Sequence, residues 1–195
     1  MSRKIVLASK SFHRKMLLEQ IGLRDFEIAE SEYEEDMNAM EDPIELVKFL
    51  ALKKAQDVAK KFKDAIIISG DTFIVFEGRF IGKPKDAEDA KKTLKSFSGR
   101  EVSAISGFAV IDTKSGEVIN DYGEGLVRFR VLSEDEIENY VATGEPLNLA
   151  GSFGVMKRAA VLVDSFGGDF YSIVAFPINK IYLALKKLGL DVLKQ

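Results

Sequence analysis

Cysteine and tryptophan are absent from this chain of 195 residues, and histidine occurs only once. Without cysteine the protein has no disulfide, no thiolate metal site and no cysteine nucleophile. The single imidazole, at His13, also excludes a zinc site built mainly from histidines. The thiol-based and histidine-rich classes of functional site are therefore ruled out.

Long apolar runs and an excess of one charge are missing too. No run approaches the ~20 residues of a membrane span, and the N-terminal residues lack the apolar core of a signal peptide. Acidic residues number 31 and basic residues 28, so the net charge of −3 provides no basic field for a nucleic-acid backbone. We expect a soluble, cytoplasmic protein that binds neither nucleic acid nor membrane.

The stretch from Ile66 to Pro84 carries the first candidate site. Residues 65–68 form a wholly apolar run, which predicts a buried strand ending at the turn-like residues 69–72. In α/β sheets, ligands bind outside the carboxyl ends of strands. A hairpin beyond the turn can bring Asp71 close to Lys83, which would place an acid beside a base. The alternative is a surface hairpin with ordinary charges at its ends.

The N-terminal segment has a second candidate site, where an apolar strand over residues 4–8 passes into a helix that begins near Phe12. The passage is rich in hydroxyls and bases: Ser9, Lys10, Ser11, His13 and Arg14. Free backbone N–H groups at a helix N-terminus, with cations nearby, can bind an anion. The alternative is a serine N-cap followed by a solvated basic turn. Bases in a first turn oppose the helix dipole, which favours the phosphate site.

Residues 30–42 are acidic and weakly patterned, which predicts a loop. Glu35 and its acidic neighbours could hold a hard cation through oxygen ligands, or the loop could simply be solvated. A long helix is predicted from Asp42 to about Phe62, with Asp42 as N-cap. Lys54 lies beside the apolar stripe of this helix, so its ammonium either reaches out to water or points into a cleft.

The remaining chain alternates strands and helices. We predict helices over residues 86–97, over 133–143 and from Pro177 onward, with long strands over 101–112 and 117–131, short strands over 159–163 and 172–175, and turns over 164–169. Residues 144–158 read as an apolar, glycine-rich loop. The pattern indicates a single α/β domain over residues 1–195, with two lobes around a central cleft.

At this point the chain resembles the Maf family of nucleotide pyrophosphatases over nearly its whole length. The similar segments are LASKSFHRKMLLEQIG, GDTFIVFEGRFIGKP, the helix through Ser98-Gly99-Arg100, LAGSFGV and GGDFYSIVAFP. The central segment is the most specific of them. The resemblance implies a mixed twisted sheet with flanking helices and a deep cleft, and a protein that is often a homodimer.

The resemblance also implies an activity and a set of residues. The reaction would convert a nucleoside triphosphate to the monophosphate and pyrophosphate in a house-cleaning role, with Mg²⁺ or Mn²⁺ as cofactor. By motif, Asp71 would be the catalytic acid-base residue and would share the cation with Glu35. The other polar positions carried over from the family are Lys54, Lys83, Ser9 and Arg14, while Thr72 would sit near the base.

The chain departs from the family pattern at positions linked to substrate choice. His13 replaces the first of two arginines, and Met156 stands where pyrimidine-preferring members carry glutamine. A thioether is only a weak hydrogen-bond acceptor, so we expect a base preference that is broader than, or different from, dTTP and UTP. Two other functions stay open: an inosine-triphosphate-type pyrophosphatase and a non-catalytic nucleotide-binding regulator.

Overall fold

A computed structural model describes residues 3–194, which divide into two compact units. The first unit contains the described residues up to Thr72, residues 106–123 and residues from Ala175 onward. The second unit contains residues 73–105 and 124–174. Three long strands contribute residues to both units.

Seven strands form one mixed sheet. They are β1 Lys4–Leu7, β2 Glu27–Ile28, β3 Ala65–Phe76, β4 Arg79–Ile81, β5 Glu101–Asp112, β6 Val118–Phe129 and β7 Val163–Gly168. The order is β2-β1-β3-β5-β6-β7, with β4 paired to β3. The β1 strand is parallel to β2 and β3, whereas the β3–β4 and β6–β7 pairs are antiparallel. The predicted mixed sheet is thus confirmed.

Within residues 3–194, six α-helices accompany the sheet. They are α1 Phe12–Gln20, α2 Pro43–Ala59, α3 Ala87–Phe97, α4 Glu134–Ala142, α5 Phe170–Val174 and α6 Ile178–Lys187. Short 3₁₀ turns cover Glu145–Asn148, Ala150–Ser152, Arg158–Leu162 and Val192–Lys194. Among residues 3–194, no helix is long and apolar enough to cross a membrane.

The first unit is built on the apolar faces of β1, β3 and α2. The side chains packed between these elements are Val6, Ala8, Ala55, Val58, Ala65, Ile67, Ala109 and Ile111. Asp42 begins α2 as predicted, because its carboxylate accepts the backbone N–H groups of Ile44 and Glu45 at 2.7 and 3.2 Å.

The second unit has its own core, centred on four phenylalanines. Phe97 packs against Phe76, Phe129 and Phe153 at centroid distances of 5.0, 5.4 and 6.2 Å.

Ser133 and Glu136 form the predicted capping box at the start of α4.

Two regions contradict the predicted secondary structure. The strand expected to end at residues 69–72 continues without a break from Ala65 to Phe76, so Asp71 lies inside a strand and not on a turn. The predictions for residues 159–175 are wrong: residues 159–163 are mainly a 3₁₀ turn, residues 164–169 contain most of β7, and residues 172–175 belong largely to a helix, whereas the helix predicted from Pro177 onward is confirmed as α6.

The failure at β7 has a simple cause. This strand is at the edge of the sheet and most of its side chains are exposed, so it lacks the alternating apolar pattern of a half-buried strand. The strand is recognised by its antiparallel pairing with β6, which runs from Gly125 opposite Gly168 to Phe129 opposite Val163. The central cleft and the single domain over residues 1–195 stay predictions, and Met1, Ser2 and Gln195 lie outside the described residues.

Candidate active site

The first unit gathers polar side chains from four separate segments. They come from the start of α1, the acidic loop, the middle of α2 and the part of β3 that extends beyond β1. The parallel pairing of β1 with β3 ends where Leu7 lies opposite Ile68. Asp71 and Thr72 follow on β3, immediately past the carboxyl end of β1, where ligands of α/β sheets commonly bind.

Arg14 is at the centre of one cluster. Its guanidinium donates to Ser9 Oγ at 3.1 Å, to Thr72 Oγ1 at 3.2 Å and to the Ala175 carbonyl at 3.5 Å. Thr72 Oγ1 also lies 2.8 Å from the buried Ser106 hydroxyl. These bonds do not use every N–H donor of a guanidinium, so Arg14 can still bind an anion.

Lys54 is at the centre of the second cluster. Its Nζ lies 2.6 Å from Glu35 Oε1 and 3.4 Å from Asp71 Oδ1, and its side chain is only 15% exposed. The sequence left two alternatives for Lys54, and the structure shows the one in which the ammonium is directed inward. Asp71 Oδ1 also accepts the backbone N–H of Thr72 at 3.0 Å.

The second oxygen of Asp71 distinguishes this carboxylate from an ordinary ion pair. Asp71 Oδ2 is buried and has no hydrogen-bond partner among the described residues. A buried carboxylate oxygen without a partner is costly and calls for an explanation such as a bound water or ion. The arrangement is therefore suited to a ligand at Oδ2.

Close packing of α2 on the sheet fixes the position of Lys54. The buried Ser69 hydroxyl on β3 donates to the Ala51 carbonyl of α2 at 2.5 Å. On the neighbouring strand, a Cβ added at Gly107 would lie 2.5 Å from the Val47 carbonyl oxygen. Only glycine at position 107 allows α2 to approach this closely, about two turns before Lys54.

Gly70 has a similar role beside Asp71. Its backbone is not left-handed, and a Cβ added there would lie 2.2 Å from Cε1 of the buried Phe176. The sequence predicts the end of a strand at residues 69–72, whereas the strand continues and Gly70 makes room for the Phe176 ring. Phe176 in turn lies under the Arg14 guanidinium, 5.4 Å from its Cζ.

The charges in this part of the first unit are coupled. Burial lowers the pKa of Arg14 from its ordinary value, and the negative charges of Asp71 and Glu35 oppose that shift. A guanidinium keeps its proton in proteins, so Arg14 and Lys54 are two cations close to two carboxylates. Such a site can hold a polyanion together with a divalent cation.

The carboxylates suit a cation that is shared with a substrate. No group of three or more His, Cys, Asp or Glu side chains suitable for a metal occurs within residues 3–194. Mg²⁺ commonly takes one or two carboxylates plus waters and substrate phosphates, and does not need a cage made only of protein ligands. Asp71, with its open Oδ2, and Glu35 fit that requirement.

The other predicted residues lie at the start of α1 or in the second unit. Ser11 is the N-cap of α1, where its Oγ accepts the Arg14 backbone N–H at 3.4 Å. His13 lies in the first turn, with its ring edge against Phe12 at 5.7 Å between centroids. Lys83 and Met156 belong to the second unit, where both are exposed, so their proximity to Asp71 stays a prediction.

Sequence reasoning missed three contributors to these clusters: Ser106, Phe176 and Asp57. Ser106 and Phe176 are far in sequence from the residues that they contact, so no local sequence pattern predicts their positions. The i, i+4 spacing of Lys53 and Asp57 predicts an exposed ion pair on α2, but the Lys53 ammonium lies over the Phe49 ring at 5.2 Å. Asp57 instead contacts the acidic loop.

The chain matches one protein family and is similar to several known proteins. A family profile described as Maf-like protein matches residues 4–188. The chain is 40% identical over 190 residues to a dTTP/UTP pyrophosphatase of Methanococcoides burtonii, covering 97% of each chain. It is 41% identical over 194 residues to a dTTP/UTP pyrophosphatase of Dictyoglomus turgidum, covering 99% of this chain and 100% of the relative.

A solved structure supports the fold alone. A HAM1 protein from Coxiella burnetii aligns with a TM-score of 0.51 at 14% identity, covering 95% of this chain and 100% of that one. This likeness shows that the mixed sheet with flanking helices occurs in a protein of very different sequence.

Proposed function

Because this chain belongs to the Maf family, we propose that it is a nucleoside triphosphate pyrophosphatase that hydrolyses its substrate to the monophosphate and pyrophosphate. The observation that carries the proposal is Asp71, whose buried Oδ2 is open while Oδ1 lies beside Lys54. Full-length relatives named dTTP/UTP pyrophosphatase support this class of reaction.

In the proposed reaction, water attacks phosphorus and the bond to the leaving pyrophosphate breaks. We assign the proton of the attacking water to the Asp71 carboxylate, because a general base must be within hydrogen-bond reach of that water. Arg14 and Lys54 supply positive charge for the phosphate oxygens. Neither needs to gain or lose a proton for this role.

A divalent cation, when bound by Asp71 and Glu35, would neutralise phosphate charge. Lys54 Nζ lies within 3.4 Å of both carboxylates, which keeps their negative charges near each other before the substrate binds. Whether Mg²⁺ or Mn²⁺ is preferred is a question for titration of each metal against activity.

Two further residues belong to the proposal. We propose that Lys83 contacts phosphate and that Met156 lies beside the base, which would make residues 1–195 one functional domain. The Lys83 side chain is exposed, so its ammonium is accessible to a ligand. A homodimer and a cytoplasmic location remain part of the proposal.

Base selection is the finer part of the proposal. A thioether adapts to varied shapes and accepts hydrogen bonds only weakly, so Met156 should discriminate poorly between base edges. We expect hydrolysis of bases beyond thymine and uracil. A preference of about 100-fold or more for dTTP and UTP over all other bases would contradict this, since that is the discrimination expected of a paired polar contact.

The decisive experiment is a substrate panel with product identification. The protein is incubated with Mg²⁺ or Mn²⁺ and dTTP, UTP, CTP, GTP, ITP or methylated nucleotides. Release of pyrophosphate and a monophosphate supports the proposal, and inorganic phosphate alone or no turnover overturns it. A strong preference for ITP would identify an inosine-triphosphate-type enzyme, and binding without turnover a regulator.

A further inference from the structure

The acidic loop that carries Glu35 is attached to α2 by a residue outside the proposed chemistry. We propose that Asp57 is a positioning residue, which holds residues 31–36 on α2 and thereby sets Glu35 beside Lys54. This inference rests on the proposed function for the importance of Glu35. It does not rest on that function for the structural role of Asp57.

The attachment is a pair of hydrogen bonds to one carboxylate oxygen. Asp57 Oδ2 accepts the backbone N–H of Glu32 at 2.9 Å and the Ser31 hydroxyl at 3.2 Å. Ser31 Oγ also accepts the Tyr33 backbone N–H at 3.1 Å. The carboxylate thus organises three consecutive residues of the loop.

The loop follows the helix in the opposite direction. Glu32 contacts Lys61 at 3.3 Å and Asp57 at 2.9 Å, whereas Glu35 contacts Lys54 at 2.6 Å. Lys54 and Asp57 are three residues apart, so their side chains share one face of α2. One turn of helix therefore carries both the anchor of the loop and the partner of Glu35.

The energetics favour Asp57 over the ion pairs as the anchor. The Glu35–Lys54 and Glu32–Lys61 pairs involve glutamate side chains that are 43% and 85% exposed, and ion pairs with an exposed partner add little stability. The Asp57 side chain is 22% exposed and binds backbone, which fixes the chain itself.

The titration of Asp57 agrees with this role. The Glu32 N–H lowers the pKa of Asp57, with further lowering by Ser31 and Lys60. Asp57 is therefore a carboxylate at neutral pH and a strong acceptor for the loop.

The first test is hydrogen exchange of the full-length protein without nucleotide. Asp57→Ala should raise amide exchange in residues 31–36 at least several-fold, and Asp57→Asn, which keeps one carbonyl acceptor, should restore part of the protection. Glu19→Ala on α1 removes an exposed acid and should leave this segment unchanged. Equal protection of residues 31–36 in wild type, Asp57→Ala and Asp57→Asn would overturn the proposal.

The second test is activity on dTTP. Asp57→Ala should lower kcat/KM by about tenfold, the size expected for loss of a partner that orients a ligand, and Asp57→Asn should recover part of it. In a Glu35→Ala background, Asp57→Ala should have a much smaller additional effect, since coupled residues are not additive. Full additivity would show that Asp57 does not act through Glu35.

The two tests separate this inference from the proposed function. If no triphosphate is hydrolysed, the proposed function fails and the exchange experiment decides the role of Asp57. If dTTP is hydrolysed and Asp57→Ala matches Glu19→Ala in both measurements, the inference fails while the proposed function stands.

Discussion

At the scale of single residues, Asp71 and Lys54 are distinguished from the surface charges by their burial. Their side chains are 13% and 15% exposed, whereas most ion pairs of the protein involve side chains that are far more exposed. A partly desolvated charge interacts more strongly with a ligand than one in open water.

Replacement of Asp71 tests the proposed base. Asp71→Asn should lower kcat by about 100-fold or more, because the amide cannot accept the proton from water. The exposed Asp25→Asn, in the same unit, should keep wild-type kcat. Circular dichroism should show that both variants are folded. Near-full activity of Asp71→Asn at saturating metal would exclude Asp71 as the base.

Neighbouring lysines supply matched controls for the two proposed phosphate contacts. Lys54→Ala should lower kcat/KM for the triphosphate by about 100-fold, the order expected for loss of an electrostatic contact in a protected site, and Lys53→Ala should change it little. Lys83→Ala should lower kcat/KM more than Lys85→Ala does. Lys85 is the matched control because it lies two positions away on the same exposed turn. Equal losses of kcat/KM within either pair would show that Lys54 or Lys83, respectively, is not part of the site.

At the scale of elements, the contact between α2 and β5 controls where the Lys54 side chain lies. A Cβ at position 107 would meet the Val47 carbonyl oxygen at 2.5 Å and the Lys48 nitrogen at 2.9 Å. Both atoms belong to helix backbone, which cannot rotate away as a flexible side chain would. The helix must therefore shift if anything larger than glycine occupies this position.

Gly107→Ala should consequently destabilise the protein by about 3 kcal/mol, the upper end of the range for overpacking a core. Urea unfolding measures the change. The matched control is Gly82→Ala, where no atom lies within 4 Å of the added Cβ and the backbone is not left-handed. A change below about 1 kcal/mol at position 107 would show that α2 is free to move away from β5.

At the scale of the whole molecule, a partly buried ion pair links Arg3 to Asp112, next to the turn between β5 and β6. Arg3 donates from Nη1 to Asp112 Oδ2 at 2.8 Å and from Nη2 to Oδ1. Asp112 Oδ1 also accepts the backbone N–H groups of Lys114 and Ser115 at 2.8 and 3.2 Å. The Arg3 hydrogen bond holds the pKa of Asp112 well below its ordinary value.

The pH dependence of stability follows from that depressed pKa. The unfolded chain binds the Asp112 proton more readily than the folded protein does, so this contribution is complete above the ordinary Asp range and is lost as pH falls below it. Arg3→Met should lower the free energy of unfolding at neutral pH by about 3 kcal/mol, since it leaves a buried carboxylate without its cation. The loss should shrink in acid.

Urea titrations at neutral and acidic pH measure both effects of Arg3→Met. The control is Lys114→Met, which removes an exposed pair with Asp64 at 3.3 Å and should cost less than about 1 kcal/mol. A pH-independent loss in Arg3→Met would mean that Arg3 stabilises through packing of its aliphatic chain and not through Asp112.

The sequence by itself determined the features that depend on near neighbours. Asp42, Ser133 and the alternating apolar residues predicted α2, α4 and the long strands, because caps and amphipathic faces are set by residues a few positions apart. The apolar run over residues 65–68 also predicted the burial of the strand before Asp71. The sequence also indicated Ser9, Arg14, Glu35, Lys54, Asp71 and Thr72 as candidates, and the structure brings them together in the first unit, while their roles stay predictions.

Only the tertiary structure decided the features that depend on distant segments. The unbroken β3, the edge strand β7, the Phe176 ring over Gly70 and the attachment of residues 31–36 to Asp57 all arise between parts of the chain far apart in sequence. A glycine that ends a strand and a glycine that admits a ring look the same in sequence. An acid that pairs with solvent-side lysine and an acid that holds a loop also look the same, because the difference lies in what the fold places against them.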